Sequence, residues 1–155
     1  PATALAWDPS FDETLRHKPG RPDEGLLSGM MLFIAVSTIV LTAGTILTYY
    51  YYHIVLGETI AKIRTVIFMQ IAFFELSIVW NCRSETKSVF KIGFRGNKWL
   101  TISVIICAAL TTSLVYTPLA MAFHLVPLSL KDWLAVLSVA ILGFFMMPEI
   151  LMKKS

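Results

Sequence analysis

Residues 65–82 read TVIFMQIAFFELSIVWNC, an apolar run bounded by Arg64 and Arg83 and broken by one charge, Glu75. At a helical rise of about 1.5 Å per residue, Glu75 lies about 16 Å from Arg64 and about 12 Å from Arg83. That is near the middle of a hydrocarbon core about 30 Å thick. A carboxylate at that depth costs roughly 2.5 kcal/mol or more, and Glu is too short to reach the interface easily. The cost is understandable if the group faces a protein interior and handles a cation or a proton, so Glu75 is the candidate functional residue. The competing reading is a protonated acid, hydrogen-bonded to Ser, Thr or Tyr of a neighbouring helix, that only ties a bundle together.

The rest of the chain calls for a bilayer as solvent. Of its 155 residues, 56% are hydrophobic and 15% charged, with a mean hydropathy of +0.70; soluble domains carry about a quarter charged residues. Leu26 to Tyr52 holds no charge over 27 residues, and Trp99 to Phe123 none over 25. Trp133 to Met147 is shorter, and reaches Met152 if Glu149 sits among the headgroups. A span needs about 20 residues. These runs predict an all-α membrane protein with four transmembrane helices, at 26–52, 65–82, 99–122 and 133–152. A cytosolic strap is expected at 1–25, with Pro9, Pro19 and Pro22, and a basic loop at 83–98.

Charge supplies the orientation. Three Lys or Arg precede the first span, five lie between the second and third, and two follow the fourth; Lys62, Arg64 and Lys131 are the other three. Ten against three puts both termini and the 83–98 loop in the cytosol by the positive-inside rule. These loops account for the net charge of +3, so a nucleic-acid partner is not expected; the lipid bilayer is. Tyr49 to Tyr52, Trp99 and Trp133 match interfacial aromatic belts. The first apolar run follows a charged, Pro-containing segment and is too long for a signal peptide. The chain opens at Pro1 rather than Met, which reads as a piece of something larger.

Other polar residues have ordinary explanations. Cys82 and Cys107 fall at different depths, which argues against a disulfide, and neither has a His or second thiol at metal-ligand spacing. His53 and His124 fall at outer edges. Gln70 and Ser77 suit inter-helix hydrogen bonds, while Ala35, Ala43, Gly44, Ala108 and Ala109 suit close helix contact. Gly143 and Pro148 suit a bend in the last helix. No GxxxxGK[ST], GxSxG or HExxH motif is present. The only site residue is therefore Glu75, as a metal ligand, with no catalytic or cofactor-binding residue.

Four stretches, in order, resemble one family. Asn81-Cys82-Arg83-Ser84-Glu85-Thr86-Lys87-Ser88-Val89-Phe90, followed by Gly93, Asn97 and Trp99, resembles the cytosolic loop between the eighth and ninth membrane helices of type II P-type cation-transporting ATPases. Pro1-Ala2-Thr3-Ala4-Leu5-Ala6 resembles the segment leaving their sixth helix. Pro19-Gly20-Arg21-Pro22 resembles their Pro-Pro-Arg strap, with Gly20 in place of the second Pro. Tyr116, Pro118, Phe123, Leu128 and Trp133 resemble their outer turn between helices nine and ten.

The resemblance implies helices seven to ten of a calcium-pump-like ATPase. Glu75, six residues before Asn81, matches the acid on the family's eighth helix, a calcium ligand in sarco/endoplasmic reticulum pumps. Calcium takes six to eight oxygens, so the other ligands would come from the missing helices. ATP and magnesium would bind only in missing domains, because the Asp-Lys-Thr-Gly-Thr motif is absent; the segment alone is expected to be inactive toward ATP. The short outer loop at 53–63 suits a pump of a prokaryotic cell membrane and does not favour an accessory outer subunit. The alternative class is a self-standing small four-helix membrane protein, either a proton-coupled carrier using Glu75 or a scaffold.

Overall fold

The computed structural model describes residues 31–82 and 97–145. The strap at 1–25, most of the basic loop at 83–98, the first residues of the expected helix 26–52 and the end of 133–152 lie outside these. Among the described residues the elements are all helices. α1 is Met31–Tyr50 and runs on into a π-helical turn, Tyr51–Val55; α2 is Ile60–Asn81. α3 is Lys98–Tyr116, α4 the single turn Leu119–Ala122, and α5 Leu130–Phe145. Met31–Val55, Ile60–Asn81 and Lys98–Tyr116 are each long and apolar enough to cross a membrane. With α5 added, the chain is an all-α membrane protein.

The helix ends differ from the apolar runs because polar groups find partners inside the helices. The connection expected over 53–63 shrinks to residues 56–59. Gly57 takes a φ of +64° there, which only glycine adopts without strain, and Thr59 caps α2 by accepting from the Lys62 amide at 3.4 Å. Lys62 and Arg64 thus fall inside α2 rather than before it. The Lys62 ammonium is held by Glu58 at 2.6 Å, one helical turn earlier. The Arg64 guanidinium reaches out of the helix to donate to the His124 carbonyl at 2.7 Å.

The stretch expected as one helix over 99–122 breaks before Pro118. Proline has no N–H to donate and forces extended backbone on the residue before it, and Thr117 is extended at φ −107°, ψ 166°. α5 in turn starts three residues before the expected 133. The Asp132 carboxylate accepts from the Ser129 N–H and hydroxyl, both at 2.7 Å, and the Ser129 hydroxyl accepts from the Asp132 N–H at 3.4 Å. This reciprocal pair is a capping box.

Packing centres on α2, whose main partner is α5. α1 buries one stripe, Phe33, Ser37, Thr48 and, in its π-helical turn, Tyr52; the spacing in multiples of about four keeps these residues on one face. α5 buries Asp132, Val136, Val139, Ala140 and Gly143 in the same manner. α3 buries only Leu100 and Val115. One apolar cluster lies toward the 56–59 and 117–129 connections, built from Tyr52, Ile63, Val66, Met69, Val115, Leu128 and Val136. A second lies toward Asn81, built from Phe33, Phe74 and Val139.

Small residues decide how closely the helices approach. A Cβ on Gly44 would stand 3.0 Å from Val139 Cγ1, so α1 lies against α5 at that point. Gly143 lies against the Phe74 ring of α2; the bend expected from Gly143 and Pro148 runs into a segment outside the described residues. Ala109 is exposed. Cys82 and Cys107 are both free thiols.

Candidate functional site

The exposed residues of α2 are Ile60, Arg64, Phe68 and Glu75. At 3.6 residues per turn these fall on one stripe, turned away from the buried set of Ile63, Val66, Met69, Gln70 and Phe74. Glu75 therefore sits on a membrane-spanning helix, about 22 Å from its start and about 9 Å from its end, and faces out of this four-helix unit. Among the described residues no hydrogen bond or ion pair reaches its carboxylate, and no group of three or more His, Cys, Asp or Glu residues could hold a metal ion.

The other polar residues of α2 behave differently from Glu75. Gln70 lies about 140° around the helix from Glu75 and is fully buried. Its Oε1 accepts from the Thr48 hydroxyl of α1 at 2.6 Å, the expected inter-helix bond, while its Nε2 has no partner among the described residues. Ser77 instead donates to Phe73 O of its own helix at 2.8 Å, so it does not join helices. Asn81, also buried, donates from Nδ2 to the Gly143 carbonyl at 3.0 Å and to the Phe144 carbonyl at 3.3 Å. An apolar groove of about 500 Å³ runs between α1 and α5, past Gly44, Thr48 and Val139; Glu75 does not border it.

A polar cluster that sequence reasoning misses lies at the opposite end of α2. Asp132, 2% exposed, accepts from the Tyr52 hydroxyl at 2.8 Å and stands 3.6 Å from the Lys62 ammonium. It joins α1, α2 and α5 at one point. The residues are 80 apart along the chain at the widest, so no local pattern reveals them; only the Ser129-x-x-Asp132 spacing is a readable trace. His53 and His124 are both exposed near this end. His124 takes a φ of 52°, and its carbonyl is fixed by Arg64. Thr65 Oγ1 accepts from the Val126 N–H at 3.1 Å, so α2 also anchors the connection before α5.

α2 thus carries one carboxylate, Glu75, on its exposed stripe, with no partner among the described residues. The family model described as "Cation transporting ATPase, C-terminus" matches residues 1–153. The chain belongs to the cation-transporting ATPase C-terminal family. A calcium-transporting ATPase of Bacillus subtilis is 28% identical over 156 residues, covering 99% of this chain and 17% of that protein. Calcium-transporting ATPase 1 of Bacillus cereus is 29% identical, covering 92% of this chain and 18% of that protein. Calcium-transporting ATPase type 2C member 2 of Mus musculus is 28% identical, covering 97% and 16%. The chain therefore spans less than a fifth of the length of these relatives and is similar to the C-terminal region of calcium-pump-like P-type ATPases.

Proposed function

We propose that this chain is the C-terminal membrane part of an ATP-driven cation pump, and that Glu75 gives a carboxylate to a cation site completed by helices outside this sequence. The observation that carries the reading is the unpartnered Glu75 on the open stripe of α2. Left against lipid it would cost roughly 2.5 kcal/mol or more; covered by further helices bearing oxygen donors, its charge becomes an asset. A hard oxygen ligand suits a hard cation, and calcium, which takes six to eight oxygens, is the ion named for the relatives above. ATP and magnesium would act in domains outside this sequence. A prokaryotic cell membrane, with both ends of the chain cytosolic, fits the short connection at residues 56–59 and the distribution of Lys and Arg.

The test is Glu75→Gln in the full-length protein. Gln keeps the size and two polar atoms but removes the charge, and ligand charge sets much of a calcium site's affinity. Half-saturation for ion-dependent phosphorylation or uptake is expected to rise roughly tenfold or more, or the number of ions bound to fall, while expression persists. Glu85→Gln is the matched control. Unchanged ion dependence and stoichiometry in Glu75→Gln would refute the ligand assignment and leave the family standing.

A further inference from the structure

We propose that Gly143 and Asn81, acting through Phe74, form a clamp that sets the rotation of α2 about its axis and so aims Glu75; all three are positioning residues. The proposal rests on the cation-ligand reading of Glu75 and adds how that carboxylate is held.

Phe74 directly precedes Glu75 and is 1% exposed. Its ring fills the place a side chain of residue 143 would occupy: a Cβ there would stand 2.8 Å from Phe74 Cδ2 and 2.9 Å from Cε2. Ordinary carbon contacts are about 3.5–4.0 Å, so glycine is the residue that admits the ring at this depth. Two helical turns further on, Asn81 lies on the same face of α2, seven residues from Phe74. Its amide donates to the Gly143 and Phe144 carbonyls at 3.0 and 3.3 Å. The same glycine is thus gripped twice, by a ring above and an amide below.

Phe74 and Asn81 leave α2 at points about 10 Å apart along its axis and converge on the one residue Gly143, so rotating or sliding α2 on α5 disturbs both contacts together. Phe33 and Val139 pack around the ring in the same cluster. Glu75 follows Phe74 by one residue, about 100° around the helix, so a rotation of α2 that moves Phe74 moves the Glu75 carboxylate with it. Metal–oxygen bonds to calcium fall within 2.3–2.6 Å, and a functional group must be held within about 0.5 Å of its working position. A methyl at residue 143 requires the Phe74 ring to shift by roughly 0.7 Å or more, a distance on the same scale as that tolerance.

The experiment measures ion half-saturation and maximal phosphorylation in the full-length protein. Gly143→Ala is expected to raise half-saturation about tenfold with maximal phosphorylation nearly intact. Asn81→Ala, which overpacks nothing, is expected to raise it severalfold and carries the test should Gly143→Ala fail to fold. Adding Phe74→Leu to Gly143→Ala makes room for the methyl and is expected to bring the affinity back toward wild type. Val136→Ala, in the other cluster, is the control for lost stability and should leave half-saturation unmoved. Wild-type affinity in both Gly143→Ala and Asn81→Ala, beside a weakened Glu75→Gln, overturns the clamp alone; a weakened Val136→Ala of equal size does so as well. A silent Glu75→Gln overturns the ligand reading, and the positioning role falls with it.

Discussion

Asp132→Ala should be the most destabilising polar truncation in this bundle. The carboxylate is 2% exposed and accepts three hydrogen bonds, from Tyr52 at 2.8 Å and from the Ser129 amide and hydroxyl at 2.7 Å each. Bonds to a charged group contribute about 1.5–3 kcal/mol each. Against that gross loss stands the desolvation cost of the carboxylate, which disappears with it. Lys62 retains Glu58 at 2.6 Å, and Ser129 is exposed, so water can satisfy it. The Tyr52 hydroxyl, in a residue 2% exposed, is left without a partner. The net cost is about 3 kcal/mol, at the lower end for breaking a buried pair. Tyr52→Phe alone should cost about 1.5–3 kcal/mol and almost nothing in the Asp132→Ala background, because the bond it removes is already gone. The assay is unfolding of the detergent-purified chain by SDS in mixed micelles, followed by tryptophan fluorescence, for wild type, both single variants and the double variant. Costs that simply add, or an Asp132→Ala as stable as wild type, would refute the three-helix tie.

The Thr48–Gln70 bond should be worth less. Inter-helix hydrogen bonds in membranes average about 0.6 kcal/mol, so Thr48→Val is expected to cost about 1 kcal/mol or less in the same unfolding assay. Gln70→Met, which also removes the unpartnered Nε2, should cost still less; a loss above that of Thr48→Val would contradict the account. Orientation is checked by cysteine labelling in intact cells, in a Cys82→Ser, Cys107→Ser background. Glu58→Cys should react with an impermeant maleimide from outside and Ser84→Cys only after permeabilisation, and the reverse pattern would invert the topology.

The amino-acid sequence alone determined that this chain is an all-α membrane protein and that Glu75 is the one charge within an apolar run long enough to span a bilayer. Each follows from local quantities: the length of an uncharged run against the thickness of hydrocarbon, and the cost of one charge within it. The order of motifs along the chain was enough to suggest the cation-ATPase family, which the match over residues 1–153 establishes. Helix ends were less legible, because Lys62, Arg64 and Asp132 look like boundaries in a hydropathy count and become interior once Glu58, the His124 carbonyl and Tyr52 meet them. Which face of α2 is buried was not readable either, since apolar residues surround that helix on all sides and a period cannot be seen against a uniform background. Tertiary packing broke the degeneracy. Phe74 fits against α5 only where residue 143 lacks a side chain, and Asn81 finds its carbonyls only in that same rotation. The turn of helix that satisfies both leaves Glu75 facing outward, because a rigid helix fixes all of its side-chain directions once two contacts on one face are set.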